Sequence, residues 1–200
     1  MLHVALLDDH AAVLAGLRRL IDGEPDLTVR AAADTATDLA RQLEGRRPDV
    51  LVLDYDLARG DGLAHCRRIK NRPDPPAVVI YSAYASAALT SAARAAQADA
   101  LVGKSEPVLT LLQAIRLVGR GETAFPPVPH HAYQGAVAKL DDEDLPVFAM
   151  LLDREPAEMI AHALRAEPSE IAWRAKRIVG RLRPRISDPA LAAELDRIPR

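Results

Sequence analysis

Residues 49–54 read Asp-Val-Leu-Val-Leu-Asp, an apolar run that is closed by an acid on each side. A strand that faces solvent on one side alternates apolar and polar residues. An uninterrupted apolar run therefore predicts a strand that is covered on both faces. Strands of this kind belong to parallel sheets flanked by helices, so the stretch predicts an α/β fold.

Outward from this run, short β-type segments alternate with longer helical segments up to about residue 120. Further strands are predicted at 3–7, 27–31, 77–81 and 99–102. Helices are predicted at 11–22, 36–44, 62–71, 86–97 and 107–119. This alternation implies parallel βαβ units that form a doubly wound, five-stranded sheet. In such sheets, ligands bind beyond the carboxyl ends of the strands.

After residue 120 the pattern changes. The stretch 121–139 is rich in proline and predicts a semi-stiff linker between two domains. From residue 140 only helical periodicity appears, and its strongest element is an amphipathic helix over 168–182. The sequence thus predicts a first domain at 1–120, a linker at 121–139 and a small all-α domain at 140–200.

Whole-chain composition excludes several classes of protein. The 200 residues carry a net charge of −2, so no overall basic field indicates binding to nucleic acid or to a membrane. The single cysteine, Cys66, excludes an internal disulfide and suits a reducing compartment. No apolar run approaches the roughly eighteen residues of a membrane span, and no secretory signal is visible. We therefore expect a cytoplasmic protein with no membrane partner.

Acidic and polar side chains close the predicted strands at one edge of the sheet. Asp8 and Asp9 close the first strand and Asp54 the third, while Ser82 closes the fourth and Lys104 follows the fifth. Three neighbouring carboxylates repel one another strongly, and Mg²⁺ relieves this repulsion. The ammonium and the hydroxyl can then hold phosphoryl oxygens, with Asp54 as the nucleophile. Each residue alone is more often a turn former or a surface charge, but together they predict a phosphorylation site.

The motifs around these residues resemble a known family. The chain carries Leu7-Asp8-Asp9-His10, Val52-Leu53-Asp54, Gly60-Asp61-Gly62, Tyr81-Ser82-Ala83 and Gly103-Lys104. Together these motifs are similar to those of two-component response regulators of the NarL/LuxR type. The resemblance implies a flavodoxin-like receiver domain that a histidine kinase phosphorylates on Asp54. It also implies that the chain promotes only its own phosphotransfer and dephosphorylation, with no small-molecule substrate beyond a phosphodonor.

The same resemblance implies roles for the other residues of the site. Mg²⁺ would be held by Asp9, Asp54 and the backbone carbonyl of Asp56, with Asp8 acting mainly through water. Ser82 and Lys104 would contact the phosphoryl group.

The C-terminal segment resembles the LuxR-type helix-turn-helix. Leu140 opens it, Ile160-Ala161 and Leu164 match its scaffold helix, and 168–182 matches its recognition helix. In such modules the first residues of the recognition helix meet the base edges of DNA. The resemblance implies a DNA-binding transcription regulator that forms a homodimer. The candidate DNA contacts are Ile171, Arg174, Lys176, Arg177 and Arg181.

Two alternatives stay open. The acidic run 141–144 is a poor neighbour for phosphates, so a degenerate output domain that binds protein instead of DNA is the first. Trp173 belongs to this alternative as a possible anchor, although we expect its indole to pack within the domain. The second is a haloacid-dehalogenase-type phosphatase, whose DxD signature matches Asp54-Tyr55-Asp56. It is the least favoured, because those enzymes place their acidic pair after the lysine, whereas Asp8-Asp9 come first.

Overall fold

The structure, a computed structural model, describes residues 1–58 and 61–184. Two parts of the sequence predictions lie outside these ranges. Gly60 belongs to the loop that follows the phosphoacceptor strand, and 185–200 belong to the predicted C-terminal domain. Within the described ranges, every helix is too short or too polar to cross a lipid bilayer.

The chain divides into two compact units. The first unit contains Met1–Ala85 and Ala96–Pro126. The second contains Ser86–Ala95 and the chain from Pro127 onwards. The segment Ser86–Ala95 therefore belongs, by its contacts, with residues that follow it by more than thirty positions in the sequence.

A parallel sheet of five strands forms the centre of the first unit. The strands are β1 (Leu2–Leu7), β2 (Leu27–Ala33), β3 (Val50–Asp54), β4 (Ala77–Ser82) and β5 (Ala100–Gly103). They lie side by side in the order β2-β1-β3-β4-β5, so the chain reverses its direction of travel across the sheet between β1 and β3. The predicted doubly wound fold is confirmed, and this reversal marks the edge at which such sheets bind ligands.

Helices cover both faces of this sheet. Those of the first unit are α1 (Ala11–Asp22), α2 (Ala36–Leu43), α3 (Gly62–Lys70) and α5 (Val108–Gly119), whereas α4 (Ala87–Ala95) follows β4 in the sequence but belongs to the second unit. Successive side chains of a strand point to opposite faces. Val4 and Leu6 of β1 accordingly belong to the apolar core that includes Leu17 of α1 and Leu111 of α5. Ala5 and the residues in phase with it face the opposite side, towards α2 and α3.

The second unit is all helical in its described part. Its elements besides α4 are α6 (His130–Val137), a 3-10 turn (Asp142–Asp144), α7 (Leu145–Leu152), α8 (Ala157–Leu164) and α9 (Pro168–Leu182). Helix α9 has the predicted bounds, and the face that it buries consists of Ile171, Ala175, Ile178, Val179 and Leu182. Burying a large aliphatic side chain contributes about 1.5–3 kcal/mol, so this face holds α9 in its unit.

Two features of this unit differ from the sequence-based expectation. Helix α6 lies inside 121–139, the stretch predicted as a linker. Helix α4 was predicted as an ordinary receiver helix, yet it packs against α6, α7 and α9. Arg94 of α4 donates hydrogen bonds to the Tyr133 hydroxyl at 2.8 Å and to the Leu152 carbonyl at 3.5 Å. Alanines occur on every face of α4, so its hydrophobic periodicity does not indicate which face packs against α6, α7 and α9.

Candidate functional site

The carboxyl ends of four strands bring the predicted phosphorylation residues together. Asp8 follows β1, Asp54 and Ser82 end β3 and β4, and Lys104 follows β5. The side chains of Asp8, Asp54 and Ser82 are almost wholly buried, with residue exposures of 3%, 3% and 1%. Parallel strands end at the same edge of their sheet, so residues far apart in the sequence meet in one small volume.

Lys104 links two of the carboxylates. Its Nζ lies 2.7 Å from Asp8 Oδ2 and 3.1 Å from Asp54 Oδ1. It also lies 5.6 Å from the centre of the Tyr81 ring, in cation–π geometry. The backbone N–H of Lys104 donates a 2.7 Å hydrogen bond to the Ser82 carbonyl, which fixes the loop that carries the ammonium group.

The loop after β3 is tied to the acidic pair. Asp9 Oδ2 accepts a 2.6 Å hydrogen bond from the Ala58 N–H. The N–H of Asp56 donates to Asp54 Oδ1 at 3.3 Å, which orients the carboxylate from its own loop. The side chain of Asp56 is exposed, and no described contact involves its backbone carbonyl, so its role as a metal ligand stays a prediction.

A glycine is required where this loop returns to the sheet. A Cβ on Gly62 would overlap the Asp54 carbonyl oxygen and would lie 2.8 Å from Tyr55 Cα, both backbone atoms that cannot move aside. Asp61 caps helix α3 at this point, because its Oδ1 accepts a 2.9 Å hydrogen bond from the Leu63 N–H. The loop is therefore held closely against the end of β3.

Burial and charge shift the pKa values within the site. Burial, and then the charge of Asp8, raise the pKa of the Asp54 carboxyl, although Lys104 opposes both effects. For Lys104, burial favours the neutral amine, but its hydrogen bonds to Asp8 and Asp54 outweigh burial and raise its pKa. The lysine therefore stays charged at neutral pH, and it only partly neutralises the carboxylates around it.

The arrangement fits a hard divalent cation. Asp8, Asp9, His10 and Asp54 each offer a ligand atom, and these atoms lie within 4.8 Å of one another. Asp54 Oδ2 is buried and has no hydrogen-bond partner among the described residues. A buried carboxylate oxygen without a partner is costly, and a cation such as Mg²⁺ or a phosphoryl group would relieve that cost.

Sequence reasoning missed the imidazole of His10 beside this cluster. Its Nδ1 lies 2.8 Å from Asp9 Oδ1 and 3.2 Å from Asp8 Oδ1. The side chain is two-thirds exposed, so it closes the solvent side of the acidic pair. Its position directly after two aspartates was the available signal.

The hydroxyl of Ser82 is engaged in the structure. Its Oγ accepts a 3.0 Å hydrogen bond from the Tyr84 N–H. A hydroxyl that accepts from one neighbour still has a proton to donate, so Ser82 Oγ retains the ability to donate to a phosphoryl oxygen.

The predicted DNA contacts of α9 lie in the second unit, and one of them is wrong. Ile171 is 0% exposed and belongs to the core of that unit, so it has no surface with which to touch a base. A β-branched apolar residue at the start of an amphipathic helix is compatible with either side of the helix. In the structure, Ile171 packs into the core of the second unit.

The arginines of α9 pair with the acidic run 141–144. Arg177 binds the wholly buried Asp144 through Nε at 3.0 Å and Nη2 at 2.5 Å, and Glu143 through Nη2 at 2.5 Å. Arg181 lies 2.7 Å from Asp141. The hydrogen bonds of Arg177 raise its pKa further above its usual range.

The other polar and aromatic side chains of α9 that the sequence analysis named differ in exposure to solvent and in their partners. Arg174 donates to Glu170 at 2.5 Å and to the carbonyl of Glu143 at 3.1 Å. Lys176 is exposed and makes no ion pair within the described part of the chain. Trp173 is 57% exposed rather than packed inside the unit, and the guanidinium of Arg177 covers its ring at 4.4 Å.

Comparison with known proteins identifies the family of the N-terminal part of the chain. The sequence profile of the response regulator receiver domain matches residues 4–116. The DNA-binding transcriptional activator DevR/DosR of Mycobacterium tuberculosis is 32% identical over 123 residues, which are 62% of this chain and 57% of that protein. A protein-glutamate methylesterase/protein-glutamine glutaminase of Shewanella oneidensis is 29% identical over 134 residues, or 38% of its length. The chain thus spans less than two thirds of these relatives.

Solved structures share the fold over nearly the whole chain. RcsB from Salmonella enterica serovar Typhimurium, bound to promoter P1flhDC, has a TM-score of 0.61 and 22% identity, covering 97% of both chains. A structure of two RcsB dimers bound to two parallel DNAs has a TM-score of 0.59, 20% identity and 99% coverage. A receiver profile that covers more than half of the residues and a matching edge of carboxylates, lysine and serine lead to one conclusion: the chain belongs to the response regulator receiver family.

Proposed function

We propose that a histidine kinase phosphorylates this response regulator on Asp54 and that the phosphorylated chain controls transcription. We assign the receiver domain to 1–120, the connecting segment to 121–139 and the output domain to 140–200. The observation that carries the first half is the Asp54 carboxylate, which keeps a buried oxygen without a partner while Lys104 neutralises the other oxygen.

Each residue of the site has a distinct part in the transfer. Asp54 Oδ2 attacks the phosphorus while the bond to the histidine nitrogen of the kinase breaks and that nitrogen takes a proton. Lys104 and Ser82 hold two phosphoryl oxygens. Asp8, Asp9, Asp54 and the Asp56 carbonyl fit Mg²⁺, which supplies further neutralisation of the phosphoryl charge when bound.

Phosphorylation by a small donor tests the site. The protein is incubated with acetyl phosphate and Mg²⁺, and the mass of the intact chain is measured. Wild type should gain one phosphoryl group and Asp54→Asn should gain none. Asp34→Asn, an exposed carboxylate directly after β2, serves as the matched control and should label like wild type. Labelling of Asp54→Asn would refute the assignment, and steady turnover of phosphomonoesters would instead support the phosphatase alternative.

For the output, we propose DNA binding by a homodimer. The support is the likeness of the whole chain to RcsB, which is described with promoter DNA and as dimers on DNA, and to the activator DevR/DosR. The exposed Lys176 and the paired Arg174, Arg177 and Arg181 remain the candidate phosphate contacts. The relatives named as transcription regulators favour a non-enzymatic role, and we propose a cytoplasmic location.

One observation favours the alternative output, in which the C-terminal unit binds a protein. The arginines of α9 already have acidic partners, and the exposed Trp173 offers an aromatic surface of the kind that anchors protein interfaces. Selection of genomic fragments with the full-length protein, treated with beryllofluoride or untreated, separates the two outputs. Enriched fragments whose affinity falls when Lys176 is changed to Ala support DNA binding. Absence of enrichment in both states supports the protein partner.

A further inference from the structure

A cavity of about 430 Å³ lies in the first unit, on the side of the sheet opposite the α1–α5 core. Helices α2 and α3 form its walls, and the strands β1 and β3 form its floor. Its volume falls in the range of roughly 300–1,000 Å³ that is typical of small-molecule sites. Neither the phosphorylation chemistry nor the proposed output uses it.

The floor of this cavity is apolar because of the residues that α2 and the strands present. Leu39 of α2, Leu7 of β1 and Leu51 of β3 line it, and all three are buried. On the same helix as Leu39, Ala36 and Ala40 also line the cavity, and their methyl groups are too short to fill the space between α2 and α3. The cavity is therefore a consequence of the alanines of α2, and a larger side chain there would occupy it.

The rim carries four arginines, Arg46, Arg47, Arg68 and Arg72, against one aspartate, Asp74. Two of the arginines are paired, with Arg47 Nη2 at 3.4 Å from Asp74 Oδ1 and Arg46 Nη2 at 3.1 Å from Glu44 Oε2, which leaves Arg68 and Arg72 without a carboxylate partner among the described residues. The side chain of Arg72 makes no hydrogen bond or ion pair with any described residue. The entrance is thus positively charged, and guanidinium groups bind carboxylates and phosphates in paired hydrogen bonds.

His65 and Arg68 place a second polar group at the rim. Arg68 Nη2 donates to His65 Nδ1 at 2.5 Å. Burial, followed by the charge of Arg68, lowers the pKa of His65, so at neutral pH the imidazole accepts this hydrogen bond rather than competing with it. The guanidinium of Arg68 is therefore oriented at the entrance and keeps further N–H groups for an anion.

We propose that the cavity between α2 and α3 binds a small amphipathic anion. Its apolar body would contact Leu39 and Leu51, and its carboxylate, phosphate or sulfonate would bind Arg68 and Arg72. Charge complementarity at the rim and the buried apolar floor together select this class over a neutral ligand or a protein segment.

The site lies beside the phosphorylation residues. A neighbouring cavity of about 650 Å³ contains Asp9 and Ala58 and is lined by His65 and Arg68 as well. An anion that draws Arg68 towards the first cavity therefore changes the side chains that border the loop after Asp54. This second step rests on the proposed function, because it makes the ligand a regulator of phosphotransfer to Asp54.

Binding is tested on the full-length protein with 1-anilinonaphthalene-8-sulfonate as the probe and with neutral N-phenyl-1-naphthylamine as its uncharged counterpart. We expect one site per chain by fluorescence titration, with amide NMR shifts that centre on Leu39, Leu43 and Ile69. Arg72→Ala should lower the affinity for the sulfonate probe by roughly threefold to tenfold, because one charge-assisted hydrogen bond is lost. Arg19→Ala, on α1, should leave binding unchanged.

A cavity-filling variant completes the test. Ala40→Phe places a ring in the space and should abolish binding, with circular dichroism and a thermal melt to verify that the protein is folded. Equal affinity for the neutral probe, NMR shifts elsewhere, or undiminished binding by folded Ala40→Phe would overturn the site. If Ala40→Phe does not fold, Arg72→Ala and Arg68→Ala decide by the same fluorescence readout.

The regulatory step has its own measurement. The rate of labelling by acetyl phosphate should change by at least about twofold when the probe saturates wild type, and not at all in Ala40→Phe. An unchanged rate overturns the regulation while the binding result stands. Absence of labelling without the probe is a failure of the proposed phosphorylation and leaves the fluorescence and NMR results intact.

Discussion

Replacing Asp54 by Asn should make the first unit more stable in the absence of divalent cations. The carboxylate is 3% exposed and lies among two other carboxylates and one ammonium group. An uncharged amide of the same shape keeps the packing and removes one of the three negative charges. Lys104 retains a partner, because its contact with Asp8 at 2.7 Å is the shorter of its two.

The distances give the size of the effect. The ligand atoms of Asp8, Asp9 and Asp54 lie within 4.8 Å of one another. At an effective dielectric constant of about 20, each carboxylate therefore repels Asp54 by at least roughly 3.5 kcal/mol. The attraction to Lys104 at 3.1 Å is worth about 5 kcal/mol on the same scale. The two repulsions exceed the attraction by about 2 kcal/mol, and relief of carboxylate burial adds to that difference.

The pH dependence has a definite sign. Burial and the Asp8 charge raise the pKa of Asp54 in the folded protein, so the folded state binds this proton more tightly than the unfolded state does. Stability of wild type should therefore fall as pH rises from the unfolded value of about 3.9 through the raised folded value. Asp54→Asn lacks this loss, so its advantage should be present at pH 7 and should vanish below about pH 4.

Urea denaturation in the presence of EDTA, followed by far-ultraviolet circular dichroism, measures the difference in the free energy of unfolding between the two proteins. We expect Asp54→Asn to gain about 1–3 kcal/mol, or roughly 2–12 °C in Tm. Added Mg²⁺ should stabilise wild type more than the variant, because the cation loses one ligand. Asp34→Asn should change neither quantity. An Asp54→Asn protein that is less stable than wild type in EDTA would show that attraction to Lys104, and not mutual repulsion, dominates the site.

Three further substitutions test the packing around the site, each by urea denaturation. Gly62→Ala should cost about 2–3 kcal/mol, because its Cβ meets the Tyr55 backbone; an unchanged midpoint would contradict the close approach. Asp99→Ala should cost about 3–5 kcal/mol, because Asp99 pairs with the Lys70 ammonium at 2.8 Å and accepts a 2.6 Å hydrogen bond from the Val78 N–H; partial recovery in the double variant with Lys70→Met is the control. Arg67→Met should raise the free energy of unfolding by about 1–3 kcal/mol. Arg67 is 7% exposed, one of its Nη atoms has no partner in the described ranges, and burial lowers its pKa. A loss of stability would reveal a partner for that nitrogen.

The sequence was sufficient for the first unit because its information there is local. The apolar run that ends at Asp54 covers both faces of β3, and the acids and Lys104 stand directly at strand ends. Parallel topology then brings them to one edge without any knowledge of side-chain packing. The site residues were predictable for this reason, whereas His10 was missed because an exposed imidazole follows no periodic rule.

The second unit was less predictable because its contacts are distant in sequence. The bounds of α9 follow from its amphipathicity and were predicted, but Ile171 was predicted as a DNA contact and lies in the core. The partners of Arg177 are not encoded in α9, since they lie 33 and 34 positions earlier. Likewise α4 consists mainly of small residues, so its sequence does not state which elements pack on it.

The pairing of the α9 arginines determines how any DNA binding by this chain depends on salt. A free cation that reaches a phosphate releases a counterion and contributes about −0.9 to the slope of log affinity against log salt. An arginine that leaves a carboxylate for a phosphate exposes that carboxylate, which then takes up a cation from solution. The net contribution of such an arginine to the slope is therefore close to zero.

Among the cations of α9 only Lys176 makes no ion pair within the described part of the chain. We therefore expect α9 to contribute about −0.9 per chain to the slope. Changing Asp141 to Asn removes the 2.7 Å partner of Arg181 and should steepen the contribution towards roughly −1.8, whereas Arg177 keeps its buried partner Asp144. Fluorescence anisotropy over a salt series, with Lys176→Ala to isolate its share, measures both slopes. A wild-type slope that is already at the steeper value, and that Asp141→Asn leaves unchanged, would mean that Arg181 is free before DNA binds.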